Sequence, residues 1–243
     1  MKRFYALLIV ALFATAPAIM AQSASFYNAT RDAEKMIKKM PTNNYYRAYV
    51  GYNTAHANWR EYGLLGEIMF PINQGVTLGY LESRHVWKGL PLFVEYGANV
   101  QYLFGKEKLS GELLFDAPID YHFKTNIFAV NVPVNLALRL SFENDTIAVT
   151  PFVGLNLRLN LAGKQTTIVG DSENEVKIFN SSDDSDAAGV NAFNRMQLGF
   201  NFGVAVTYDV YTLSIGRVAD FTRLSKEGKG RLGVTSISLG YAF

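Results

Sequence analysis

The sequence contains no cysteine, which excludes disulfides and the lipid-attachment cysteine of bacterial lipoproteins. Beyond its N-terminal segment it also lacks any apolar run near the ~20 residues that a membrane-spanning helix needs. Its mean hydropathy is only +0.05, far too polar for a bundle of such helices. Histidine is scarce: His56, His85 and His122 are the only three, and none has the spacing of a metal site such as H-E-x-x-H. Net charge is small, formally +2. Lys2 and Arg3 supply that excess from a segment expected to be removed, so the rest of the chain is near neutral. No nucleic-acid partner is expected.

What the chain has in quantity is alternation. From Phe128 to Phe142 every even position is apolar (Phe128, Val130, Val132, Val134, Leu136, Leu138, Leu140, Phe142). Small or polar residues, among them Asn131, Pro133, Asn135 and Arg139, fill the odd ones. After Glu143-Asn144-Asp145 the pattern restarts on odd positions from Ile147 to Leu161. Successive strand side chains point to opposite faces, so these are two strands, each with one unbroken apolar face. At roughly 15 residues they exceed the usual globular strand of about 5–6. They also exceed the about 9–11 that cross a bilayer at a tilt. A soluble sandwich or lipocalin-like barrel would share this hairpin, and the rest of the chain separates the two.

Residues 1–21 read as a secretory signal peptide. Lys2 and Arg3 form its basic start, Tyr5 to Phe13 its apolar run, and cleavage is expected after Ala21, with Ala16-Pro17-Ala18 as the other candidate site. In residues 22–43, Ala33, Met36, Ile37 and Met40 recur at helical spacing. Asp32 and Glu34 precede Lys35, Lys38 and Lys39, the order a helix dipole prefers, and Pro41 stops the run. A short amphipathic periplasmic helix is expected there, lying on the inner leaflet surface or acting as a plug. Residues 44–243 form the remaining domain.

Eight strands are expected in that domain. They are Tyr45–Asn53, Gly75–His85, Pro91–Phe104, the two arms of the hairpin, Met196–Tyr208, Tyr211–Phe221, and a last strand with Ile237, Leu239, Tyr241 and Phe243 on one face. Arg217 falls on the apolar face of its strand, and the apolar segment Gly63 to Phe70 is a candidate extra strand. The connections run long, short, long, short, long, short, long. Outer-membrane barrels have long extracellular loops, short periplasmic turns and an even strand number, and a soluble sandwich has no reason to sort its loops this way. The expected fold is an all-β, eight-stranded antiparallel transmembrane barrel, an up-and-down meander, with both ends periplasmic. Aromatics make up 14% of the chain. Phe142, Tyr208, Tyr211, Tyr241 and Phe243 fall near the turn ends of their strands, and Tyr102, Phe104, Phe128 and Phe221 near the loop ends. Two interfacial girdles are expected from them.

The terminal Leu239-Gly240-Tyr241-Ala242-Phe243 resembles the end of outer-membrane barrels that is read by the barrel-assembly machinery. Leu90-Pro91-Leu92-Phe93-Val94-Glu95, Val132-Pro133-Val134-Asn135-Leu136-Ala137, Thr150-Pro151-Phe152-Val153-Gly154-Leu155-Asn156 and Gln197-Leu198-Gly199-Phe200 are similar to segments of the small outer-membrane barrel ("porin family", PorT-like) proteins of the Bacteroidota. The likeness spans about Asn44 to Phe243. It implies fold, outer-membrane lipid as surroundings and the assembly machinery as a partner, and no particular activity.

An eight-stranded barrel is just narrow enough for side chains to fill. Arg47, Glu95, Arg139 and Arg158 are expected inside it as a charged network, with a Glu95–Arg139 pair between neighbouring strands, since buried charges need partners. The interior is read as a polar plug, or alternatively as a narrow path for small solutes. Pro133 and Pro151, mid-strand, each remove a ladder donor and suggest bulges. Glu82, Ser83 and His85 have the residue types of an outer-membrane acyl hydrolase, but Glu82 should face away from the other two. Asp183-Asp184-Ser185-Asp186 has hard oxygen ligands suited to calcium without EF-hand spacing. No enzyme activity, metal or cofactor is expected, and the ligand of the outer loops is unknown.

Overall fold

A computed structural model describes residues 43–58, 60–63, 66–69, 74–87, 90–112, 118–142, 146–170, 172–179, 193–224 and 230–243. The expected signal segment, the helix within residues 22–43 and the Asp183–Asp186 cluster lie outside these residues, apart from Asn43. The strands are β1 (Tyr45–Asn58), β2 (Arg60–Gly63), β3 (Gly66–Met69), β4 (Gln74–His85), β5 (Leu92–Glu112) and β6 (Pro118–Leu138). They continue as β7 (Leu140–Phe142), β8 (Ile147–Val169), β9 (Ser172–Lys177), β10 (Met196–Tyr208), β11 (Tyr211–Asp220) and β12 (Arg231–Ala242).

Eight of these form a closed antiparallel ring, β1-β4-β5-β6-β8-β10-β11-β12 and back to β1, with β7 continuing the line of β6. Closure leaves the ring no unpaired edge. The stagger follows from the registers. Tyr45 pairs with Ser83, and the row continues through Glu95, Asn135, Gly154, Asn201, Val218 and Val234 to Ala55, ten positions further along β1. A stagger of that size in eight strands tilts them by about 40°.

Along the barrel strands most small and polar residues turn inward and most large apolar ones outward, with Leu81, Phe93, Leu103, Ile127 and Leu232 as buried exceptions. Leu78, Val134, Leu155, Phe200, Leu213 and Leu239 are all exposed, while Asn131, Asn156, Gln197 and Thr207 are buried. That is the reverse of a water-soluble protein, in which buried positions are mainly apolar. The band has a measurable height. On β11 ten steps separate Tyr211 from Phe221, and at about 3.3 Å per residue tilted about 40° they span about 25 Å, the height of a lipid-facing band. Arg217, like Glu82 and Arg84, places charge on this surface. Its guanidinium lies beside Gly233, with Nη2 3.4 Å from where a Cβ would be, so the long side chain leans toward the loop end, as a snorkelling arginine does.

The short connections between successive strands of the ring lie at one end. Asp209, with φ 55, makes the tightest of them, a left-handed conformation that aspartate tolerates better than most residues. At the other end the strands run beyond their expected limits. β5 continues past Phe104 to Glu112, β6 begins at Pro118 rather than Phe128, and β8 continues past Leu161 to Val169, where Gly170 (φ 56) turns the chain into β9. Much of the sequence read as the second and third loops is therefore a sheet, β5-β6-β8-β9, projecting beyond the barrel. Of the Gly63 to Phe70 segment, the described residues Gly63 and Gly66–Met69 belong to a separate two-stranded β2–β3 sheet and add no strand to the ring.

The bulges expected at the prolines are absent from the described ladders. The β5–β6 ladder lapses opposite Pro133 and resumes in the same register. Pro151 lies opposite the break between β6 and β7, again without a shift. A missing donor costs a rung without adding a residue. The register shift falls instead between Phe128 and Ala129, where Leu161 is the extra residue on β8. The Leu161 carbonyl, left out of the ladder, accepts a bond from Arg195 Nη1 at 3.3 Å.

Candidate functional site

The barrel interior is built in layers, from the turn end upward. In the first, Glu95 faces Arg47 with Nη2–Oε2 at 3.5 Å. Its Oε1 accepts bonds from Tyr45 Oη at 2.8 Å and Ser83 Oγ at 3.1 Å. Arg139 lies over the Tyr45 ring, 4.6 Å from its centroid, and Phe93 packs edge-on against the same ring. Glu95 and Arg139, expected as a pair, thus both belong to a larger cluster around Tyr45. Arg47, on β1 two strands away from Glu95, joins it because the strand stagger brings the start of β1 level with Glu95.

The second charged layer sits nearer the loop end. Arg158, 1% exposed, donates from Nη1 to Asp220 Oδ2 at 2.6 Å. Its Nε reaches Asn131 Oδ1 at 3.2 Å, and Asn160 donates to Gln197 at 3.3 Å beside it. Asp220 was not among the residues singled out from the sequence. The available signal was its parity with Thr212, Ser214 and Gly216, the small, inward side of β11.

Between the two layers lies a polar chamber of about 80 Å³, bordered by Arg47 below and Arg158 above. On its wall Asn131 donates to Asn99 and Asn201 to Asn135, each at 2.9 Å. Asn53 and Gln101 also face it, and both amide atoms of Asn53 and the Gln101 carbonyl have no protein partner. Such atoms suit a wet chamber, because buried polar groups are costly when unsatisfied.

Above Arg158 the character changes. Ile178, Phe179, Phe193 and Leu224, from the connections at the loop end, fold onto Leu103, Ile127 and Leu232 of the wall. Phe179 and Phe193 meet edge-on at 6.3 Å, and Phe193 and Ile178 are tied by a backbone bond of 3.0 Å. This apolar cap was not foreseen. A few apolar residues within a polar, acidic stretch carry no periodicity to mark them.

On the outer surface the aromatic residues named from the sequence all point outward. Tyr102, Phe104, Phe128 and Phe221 ring the loop end, and Phe142, Tyr208, Tyr211, Tyr241 and Phe243 the turn end. Tyr46 and Tyr80 extend the lower row, giving a chain of ring contacts from Tyr211 through Tyr241, Phe243 and Tyr46 to Tyr80. Phe243 also closes the barrel by exchanging backbone bonds with Tyr46, at 2.8 and 2.9 Å.

The residues of hydrolase type are separated by the sheet. Glu82 faces outward, bonded to Arg84, whereas Ser83 is fully buried and bonded to Glu95. His85 Nε2 contacts the Leu90 carbonyl at 2.9 Å. The three side chains point to different partners and form no relay.

No protein-family model matches this chain, and no curated protein does. Among solved structures it is similar to the outer membrane protein OprG from Pseudomonas aeruginosa, at 11% identity and a TM-score of 0.43, over 85% of this chain and 99% of that one. A major outer membrane protein from Thermus thermophilus gives 13% identity and a TM-score of 0.42, over 83% and 100%. The attachment invasion locus protein Ail of Yersinia pestis gives 12% and 0.40, over 83% and 99%.

Proposed function

We propose that the protein is an integral outer-membrane barrel, closed along its axis by its own side chains, that works through its loop-end surface in envelope structure or surface contact. In this reading the long connections face the exterior and both barrel ends of the chain face the periplasm. The final strand, ending in Phe243, is the segment offered to the barrel-assembly machinery. The four motif segments favour a place among the small barrel proteins of the Bacteroidota. The observation that carries the reading is the series of barriers: two ion-paired layers and, above them, the apolar cap of Phe179, Phe193 and Leu224.

Planar-bilayer recording of the purified protein tests it. The expected result is an absence of stable unitary conductance, and reproducible single-channel steps would overturn the closed barrel. The polar chamber around Asn53 and Gln101 favours a second reading, a narrow path for water-sized solutes. The same recording separates the two.

A further inference from the structure

The sheet that projects beyond the barrel gathers its lysines on one face. Along β5 the outward positions run Val100, Tyr102, Phe104, Lys106, Lys108, from apolar to aromatic to cationic within nine residues. Tyr102 and Phe104 are in ring contact at 5.8 Å. The pairing brings further cations to the same height. Lys106 lies directly opposite Lys124, Lys108 opposite His122, Asn126 opposite Lys164, and Lys164 opposite Lys177. All share the side of the exposed Phe104, while Gly105 and Gly163 face the other.

Two pairs of lysines thus stand directly across from each other, an arrangement that like-charge repulsion makes unfavourable in a sheet. Glu173 and Glu175 are the acidic residues that β9 brings alongside, and Glu175 is engaged with Lys164 at 2.7 Å. Lys106 and Lys124 stand among these paired cations, and Glu175 is already taken up by Lys164. Among the described residues Lys106 and Lys124 have no ion-pair partner.

We propose that this lysine face binds the phosphate groups of phosphorylated lipid headgroups in the leaflet around the loop end of the barrel. The inference rests on the membrane reading above. The geometry that supports it is the order of the layers: acyl chains against Val100 and Val130, the interface at Tyr102, Phe104 and Phe128, and the phosphates at the lysines just above. An anion there relieves the lysine–lysine repulsion, and each cation near a charged leaflet adds to the attraction.

The test is binding of bisphosphorylated lipid A, and of the same lipid stripped of phosphate, to the full mature protein in phosphatidylcholine nanodiscs. The wild type is expected to retain the phosphorylated form, and K106S/K124S to lose about tenfold or more in affinity. K106R/K124R should keep it, and raised salt should weaken it. Equal retention of the dephosphorylated lipid, or unchanged binding by K106S/K124S, would overturn the lysine site. Heat-shifted gel mobility reports insertion separately. A wild-type chain that fails to enter phosphatidylcholine discs would overturn the membrane reading itself, whereas one that enters without phosphate preference overturns this site alone.

Discussion

Asp220→Ala is expected to destabilise the folded barrel by about 3–5 kcal/mol, the effect of leaving one member of a buried ion pair without the other. The cause is local. Arg158 is sealed between the polar chamber and the apolar cap, and its shortest bond is the one to Asp220 at 2.6 Å. The amide partners that remain, Asn131 and Gln197, bond the guanidinium without neutralising it. Removing both charges together, in Arg158→Met/Asp220→Leu, should cost far less, because no uncompensated ion is left behind. Urea unfolding in detergent micelles, followed by tryptophan fluorescence, measures both. Equal losses in the single and double variants would show that Arg158 is not buried as described.

Leu155→Arg is expected to cost about 2–4 kcal/mol in a bilayer, the usual penalty for arginine at the lipid midplane of a barrel. Leu155 is half exposed on the outer wall, and in a water-soluble protein an exposed substitution of this kind stays within about 0.5 kcal/mol. The solvent, and not the neighbouring side chains, thus sets the outcome. Tyr208→Arg, at the turn-end girdle, should cost only about 0–1 kcal/mol. Unfolding from lipid vesicles checks the depth dependence, and equal small effects at both positions would place the outer wall in water.

The apolar period of two was legible in the sequence wherever lipid-facing and inward positions differ in kind, as on β10 and on the arms of β6 and β8. Where both faces of a strand are polar the signal vanishes although the ladder continues. Lys106 to Glu112 and residues 162–169 therefore looked like loops. Inward residues such as Glu95 and Arg158 were legible from parity, but their partners were not. Partnership across the lumen depends on the strand stagger, which sets Arg47 level with Glu95 and Asp220 level with Arg158, and alternation within single strands does not reveal it. The prolines misled in a simple way, since a lost donor can be absorbed as a missing rung. The cap was illegible because Ile178, Phe179 and Phe193 are buried only when the barrel mouth is there to receive them.

The central claim is that the outer wall lies in lipid and the inner residues do not. The absence of native cysteine makes a nitroxide scan of β10 direct: single cysteines from Gln197 to Tyr208, labelled in the bilayer-reconstituted protein, with relaxation by oxygen compared with a water-soluble nickel complex. The account predicts a period of two, with oxygen dominant at Leu198, Phe200, Phe202, Val204 and Val206 and strongest near Phe202. Nickel dominance at those positions, or accessibility without alternation, would contradict it.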